Sequence, residues 1–263
     1  LYWLEAAKYF GNKKIYEPSF SPHADSERFI FFSSAALAIL PKLGFTPDII
    51  HCHDSHTALA PCLLKIKENH PGIKTILTIH NLYHQGKARP RILKVAGLKP
   101  DSYRTLAQDA ADGDVNLMAQ GVLNADIINT VSPAYAREIL RPEFGAGLEA
   151  LLDQRKKDLY GILNGIDTVF FDPVTDELIA KKYSSNNLSD KISNKIALQK
   201  KLGLPVDKNK AVVGIVSRLV WQKGLDLISE KIVKLLNCYI VILGTGEKKV
   251  EKKLIHLAKE YPG

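Results

Sequence analysis

The segment His51-Cys52-His53-Asp54-Ser55-His56 places three imidazoles and one carboxylate within six residues. It follows the apolar run Asp48–Ile50 and precedes a helical pattern. In open α/β sheets, ligands bind outside the carboxyl ends of the strands. Three readings of the cluster stand side by side. Two His and one Asp are metal-ligand types, but one short turn rarely aims so many side chains at one ion, and no second ligand cluster accompanies them. The histidines can instead bond to backbone in a tight loop. In the third reading Asp54 orients sugar hydroxyls, because an ionised carboxylate accepts hydroxyl hydrogens in charge-assisted bonds.

A second strand end repeats the pattern. The apolar run Thr75–Ile79 delivers His80 and Asn81, followed by Leu82-Tyr83-His84-Gln85-Gly86. Two such ends read as one crevice; the plainer alternative is an Asn/Gly turn with an incidental histidine. The third element is the run Val213–Val216 leading into Ser217-Arg218-Leu219-Val220-Trp221-Gln222-Lys223-Gly224. Arg218 offers a planar fork to phosphate oxygens and Lys223 a point charge. Gly224 reads as opening a helix whose N-terminus adds backbone donors. The Walker spacing G-x-x-x-x-G-K-[ST] is absent, and Gly244-Thr245-Gly246 lacks the third glycine of a dinucleotide fingerprint. The loop reads as a diphosphate site, with an exposed Arg/Lys pair as the alternative.

These groups need elements to hold them. Strands are expected at Asp48–His51, Thr75–Ile79, Ile127–Val131, Gly161–Leu163, Ala211–Val216 and Tyr239–Leu243. Helices are expected at Glu27–Leu40, Thr57–Lys67 (with Ser55 as N-cap), Ala134–Leu140, Gly224–Leu236 and Glu247–Lys259. Ser132-Pro133 is a cap followed by proline at the first helical position. Strand–helix alternation argues for parallel sheets covered by helices. After Asn164-Gly165-Ile166-Asp167 the chain crosses a polar tract, and a new strand–helix series starts at Ala211. Two domains are expected, 1–168 and 169–263. The second contributes only two strands, too few for a stable doubly covered sheet, so truncation at the C-terminus, and at the N-terminus too, is expected, with apolar sheet surface left exposed.

Composition bounds the class. The chain has 263 residues, 46% hydrophobic and 24% charged, which is ordinary globular usage. Mean hydropathy is −0.07, and no apolar run approaches the roughly 18 residues of a membrane span. Three cysteines suit neither a disulfide framework nor a zinc ribbon and favour a reducing compartment. A signal or transit segment ahead of Leu1 stays open. Residues 181–263 hold 17 Lys+Arg against 7 Asp+Glu, whereas residues 1–180 hold 19 against 21, so the net charge of +8 comes from the last third. That basicity suggests an anionic partner or a solvated lysine face. Aromatics are sparse there, so a compact phosphate fits better than a single-stranded nucleic acid.

The segments HCHDSHTALAP, TIHNLYHQG, ADIINTVSPAYAREI, GLEALLDQR, GILNGIDTVFFDP and SRLVWQKGLDL occur in that order. Together they resemble the bacterial glycogen synthase and plant starch synthase family, over about residues 28–259. The resemblance implies the GT-B architecture: two Rossmann-like domains facing a cleft, acceptor-side in 1–168 and nucleotide-sugar-binding in 169–263, both incomplete here. It implies retaining transfer of glucose from ADP-glucose or another nucleotide diphosphate glucose to the non-reducing end of an α-1,4-glucan. Other GT-B transfer, or glucan or nucleotide binding without catalysis, are the alternatives. By the same resemblance Asp54, His80, Arg218 and Lys223 are catalytic, and Asn81, Asn164, His56 and Gln222 bind substrate. No metal, no cofactor, no nucleic acid and no membrane partner are implied, and the setting is cytoplasmic or plastidic. The family's H-D-W-H motif has Ser55 at its tryptophan here, which implies a looser pocket wall. Its N-terminal Lys-x-Gly-Gly-Leu and C-terminal acidic motifs have no counterpart, so the 263 residues alone are expected to be inactive.

Overall fold

The computed structural model describes residues 2–11, 22–67 and 72–262, without the side chains of 22–24 and 67. The chain divides into two compact units, Leu1–Gly165 and Ile166–Gly263.

The first unit carries β1 (Ile49–His53), β2 (Lys74–Ile79), β3 (Lys87–Ala88), β4 (Val115–Asn116), β5 (Ile127–Thr130) and β6 (Leu159–Gly161). The main sheet runs β1-β2-β5-β6, and every pairing in it is parallel. β3 and β4 form a separate two-residue antiparallel ladder. Parallel strands covered on both faces bury residues of both parities, and β2 does so: Thr75, Leu77, Thr78 and Ile79 are all buried. The helices Pro22–Ile39, Ala60–Lys67 and Leu117–Asn124 supply part of the core, and segments such as Pro90–Ala96 add Ile92 and Leu93. Leu59, Leu63, Met118 and Val122 are essentially inaccessible, and truncating such a leucine or methionine to alanine costs about 2–5 kcal/mol. The helix Leu117–Asn124 starts where the Asn116 side chain accepts from Ala119 N at 3.1 Å. Its Gly121 permits close packing, since a β-carbon there would lie 2.7 Å from Ala58 Cβ.

The second unit carries β7 (Ala211–Val216) and β8 (Cys238–Leu243), paired in parallel over six residues. Leu219, Leu225 and Leu254 form its small core, with Ile215, Ile228, Ile242 and Val250 against it. Val216 and Leu243 are exposed, at 79% and 66%, the apolar exposure expected for this unit.

The expected α/β class with parallel sheets is what the chain adopts. Four local expectations are corrected. The strand expected at Gly161–Leu163 lies at Leu159–Gly161. Gly161 ends it because Pro133 comes so close that a β-carbon would sit 2.4 Å from its Cα. Ser55 is not a cap: it is buried inside a first helical turn, Asp54–Thr57, that precedes the helix Ala60–Lys67. Gly224 does not open a helix. It closes the 3-10 turn Trp221–Lys223 at φ 67°, and the next α-helix is Glu230–Leu235, where Ser229 accepts from Ile232 N. The polar tract after Lys182 contains the helix Lys191–Lys201, anchored by buried Gln199, whose side chain both donates to Asp207 O and accepts from Asp207 N.

Candidate functional site

β1 and β2 end side by side, with His53 in register with Thr78. Beyond those ends Asp54 Oδ1 accepts from His80 N at 2.7 Å and from Asn81 N at 3.3 Å. Asp54 adopts φ 52°, a left-handed conformation that non-glycine residues rarely take outside turns and functional sites. The short carboxylate side chain tolerates it better than most. Thus the carboxylate joins the two strand ends that the sequence reads as one crevice.

The loop after β2 is pinned along its length. Leu82 N donates to Tyr135 Oη at 3.3 Å, and Tyr83 N donates to Asn81 Oδ1 at 3.1 Å. Gln85 is buried and donates from Nε2 to Ala146 O at 2.8 Å, while its Oε1 accepts from Asn116 Nδ2 at 2.7 Å. Met118 N donates to Gln85 O at 3.0 Å. Ordered donors and acceptors of this kind hold a site without reorganisation when a ligand arrives.

His53, which the sequence reading left unassigned, is part of this arrangement. Its Nδ1 lies 3.0 Å from His80 Nε2. Partial burial, followed by the neighbouring His51 and His80 charges, pushes the His53 pKa down, while Asp54 pulls it up. His53 ends β1 and His80 follows β2, so the parallel register of the two strands brings the rings together. The His56 ring meets Phe29 edge-on, with centroids 4.2 Å apart, and burial lowers its pKa while the Asp54 charge opposes that shift. Ser55 lies beneath Gly86, where an added β-carbon would come within 3.1 Å of Ser55 Cβ and of Leu117 Cδ1. Its side chain therefore packs inward instead of leaving an open wall. Asn164 is exposed at the end of the first unit.

In the second unit, Arg218, Gln222 and Lys223 are exposed on the segment following β7. Their loop is tied to the one following β8. Ser217 N donates to Leu243 O, Leu219 N to Thr245 O, and Glu247 N to Leu219 O. Leu219 and Gly246 form a parallel bridge beyond the strands. Only glycine allows this approach: β-carbons at Gly244 and Gly246 would lie 1.9 Å from Ser217 O and 2.3 Å from Leu219 O. Neither Arg218 nor Lys223 has an acidic side chain within ion-pair distance among the described residues. Both cations are therefore open to an anionic ligand.

Among the described residues no group of three His, Cys, Asp or Glu side chains is arranged to hold a metal ion. No described helix is long and apolar enough to cross a membrane.

The chain is similar to known proteins over nearly its whole length. It is 42% identical over 269 residues to a glycogen synthase of Alkaliphilus metalliredigens, covering 99% of this chain and 55% of that protein. It is 44% identical over 242 residues to a glycogen synthase of Thermotoga maritima, covering 90% of this chain and 50% of that protein. The chain thus spans about half the length of the curated relatives it matches. Among solved structures it resembles the catalytic domain of starch synthase IV from Arabidopsis thaliana bound to ADP and acarbose, with a TM-score of 0.84 and 32% identity over 97% of this chain and 53% of that one. Residues 1–154, which include the Asp54–His80 junction and the Gln85 clasp, match the family described as the starch synthase catalytic domain. The motifs, the parallel strand ends and this match agree, and the chain belongs to the starch synthase catalytic domain family.

Proposed function

We propose that this chain is part of a retaining glucosyltransferase that passes glucose from ADP-glucose to the non-reducing end of an α-1,4-glucan, in the cytoplasm. The carrying observation is the junction in which Asp54 receives both main-chain donors of His80 and Asn81. It fits a family whose relatives are named glycogen synthases and a similar structure that holds ADP and acarbose.

In this reading residues 1–168 serve the acceptor side and residues 169–263 the nucleotide sugar. Departure of ADP builds negative charge on the β-phosphate. Arg218 and Lys223 neutralise that charge, the kind of electrostatic help that is usually the largest catalytic contribution. Gln222 lies between them and contacts the donor. The sugar becomes oxocarbenium-like as the bond breaks. His80, fixed by Asp54 and His53, sits beside it through side chain or carbonyl. The second oxygen of Asp54 orients hydroxyls, and Asn81, Asn164 and His56 bind sugar. Basic side chains carry the diphosphate charge without a metal ion.

The test is kinetic, in the protein expressed from the complete reading frame that contains this chain. Arg218→Ala and Lys223→Ala each lower kcat/KM for ADP-glucose about 100-fold or more. Unchanged turnover in both variants removes the phosphate assignment. Transfer to a lipid or sugar-phosphate acceptor in place of α-glucan replaces the proposed acceptor.

A further inference from the structure

Three imidazoles line up at the carboxyl ends of β1 and β2. His51 Nε2 lies 2.6 Å from Thr78 Oγ1, and that hydroxyl donates its single hydrogen to Asn129 Oδ1 at 2.6 Å. The hydroxyl must then accept from His51, which fixes the hydrogen of that ring on Nε2. The His51 ring is 4.3 Å from the His53 ring, centroid to centroid, at 31°. The main chain of His53 is locked by one residue. His53 N donates to Thr57 Oγ1 at 2.6 Å, and that hydroxyl donates to His53 O at 3.0 Å. The ring is thereby aimed at His80, with Nδ1 3.0 Å from His80 Nε2 and the ring planes 27° apart.

Two neutral imidazoles joined nitrogen to nitrogen hold one hydrogen between them. The tautomer of one ring therefore dictates that of the other. Protonating both rings removes the acceptor and sets like charges about 3 Å apart, which opposes the second protonation.

We propose that His53 is a positioning residue for His80: the shared hydrogen orients the His80 ring and decides whether its Nδ1 donates to or accepts from a bound sugar. The sugar in this statement rests on the transferase reading; the ring pair does not. The titratable groups acting on His53 are His51 and His80, which oppose its charge, and Asp54, which favours it.

Histidine ring nitrogens labelled with 15N test the pair directly at pH 8, because nitrogen shifts and the scalar coupling across a nitrogen–nitrogen hydrogen bond report where the hydrogen sits. In the wild type one hydrogen is shared between His53 Nδ1 and His80 Nε2, seen as a coupling between these two nitrogens and as complementary tautomers of the two rings. In His53→Phe, which keeps a ring over His51 but has no nitrogen, the His80 nitrogens lose that coupling and their shifts move toward a tautomer mixture. In the complete enzyme this variant loses at least about tenfold in kcat, with the KM for ADP-glucose changed less than twofold. His80 nitrogen shifts that are identical in wild type and variant overturn the proposal, as does an unchanged kcat. If His53→Phe does not fold by circular dichroism, the wild-type spectrum decides alone, and the absence of a coupling between the two nitrogens refutes the pairing. A shared hydrogen in a protein that transfers no glucose upholds the pair and sinks the transferase reading instead.

Discussion

Replacing Asp54 separates a hydrogen-bonding contribution from a backbone one. Asp54→Ala deletes the acceptor for His80 N and Asn81 N and leaves an alanine at φ 52°. A hydrogen bond to a charged group contributes about 1.5–3 kcal/mol, and the partial exposure of this junction lets water take over some of the loss. The left-handed conformation adds about 1–2 kcal/mol for a residue with a β-carbon and no polar side chain. The alanine variant is thus destabilised by about 2–4 kcal/mol, a melting shift on the order of 5–15 °C for a unit of this size. Asp54→Gly loses the same acceptor but no longer pays the left-handed penalty. Its looser unfolded chain returns about 0.4–1 kcal/mol of that gain. Asp54→Asn keeps both the tolerated conformation and an uncharged acceptor, and loses about 1 kcal/mol. The expected order of stability is Asn above Gly above Ala, read from urea unfolding by far-UV circular dichroism at constant slope. An alanine variant within about 0.5 kcal/mol of wild type, or a glycine variant less stable than the alanine one, refutes the argument.

Gln85→Leu leaves Asn116 Nδ2 and Ala146 O without their partners in a buried setting. It lowers stability by about 2–4 kcal/mol, whereas Gln85→Glu, which keeps the acceptor for Asn116, loses less in the same unfolding assay. His56 has a folded pKa below its ordinary value because of burial, so the folded state prefers it neutral. Its contribution is complete above the unfolded histidine pKa of about 6.5 and is lost as pH falls through that value into the lowered one. His56→Phe, which keeps an aromatic edge against Phe29, flattens stability between pH 7 and 5; a slope equal to the wild type's counts against this. Gly246→Ala sets a β-carbon 2.3 Å from Leu219 O and destabilises the second unit by on the order of 2 kcal/mol, with urea unfolding of the first unit unchanged.

Runs rich in β-branched residues made the strands legible. The run Ala211–Val216 matches its strand to the residue, and Thr75–Ile79 and Ile127–Val131 match theirs within one. Both polar strand ends were legible for the same reason, because His, Asp and Asn broke sharply from the apolar runs. The helix Leu117–Asn124 was missed because it is buried nearly all round and so shows no polar face to set a period. The helix Lys191–Lys201 was missed for the opposite reason, a surface polar enough to read as a linker, with Gln199 and not an aliphatic residue as its anchor. The His53–His80 contact depends on parallel register, which no local pattern encodes. Ser55 reads as a cap by its chemistry, but the chain turns at Asp54 by adopting positive φ. Arg218 and Lys223 were legible as a cationic pair, but the bridge that steadies their loop was hidden in Gly244 and Gly246, which read only as an unfinished fingerprint.

That bridge has a consequence for anyone recombining such chains. Residues 217–224 and 244–247 are stitched by amide-to-carbonyl bonds between segments distant in sequence, so neither behaves as a removable cassette. A chimera that swaps one turn while keeping a bulkier residue at 244 or 246 would force the backbones apart, and the cationic side chains would lose their common frame. Crossover points therefore belong outside both turns, with the pair exchanged together.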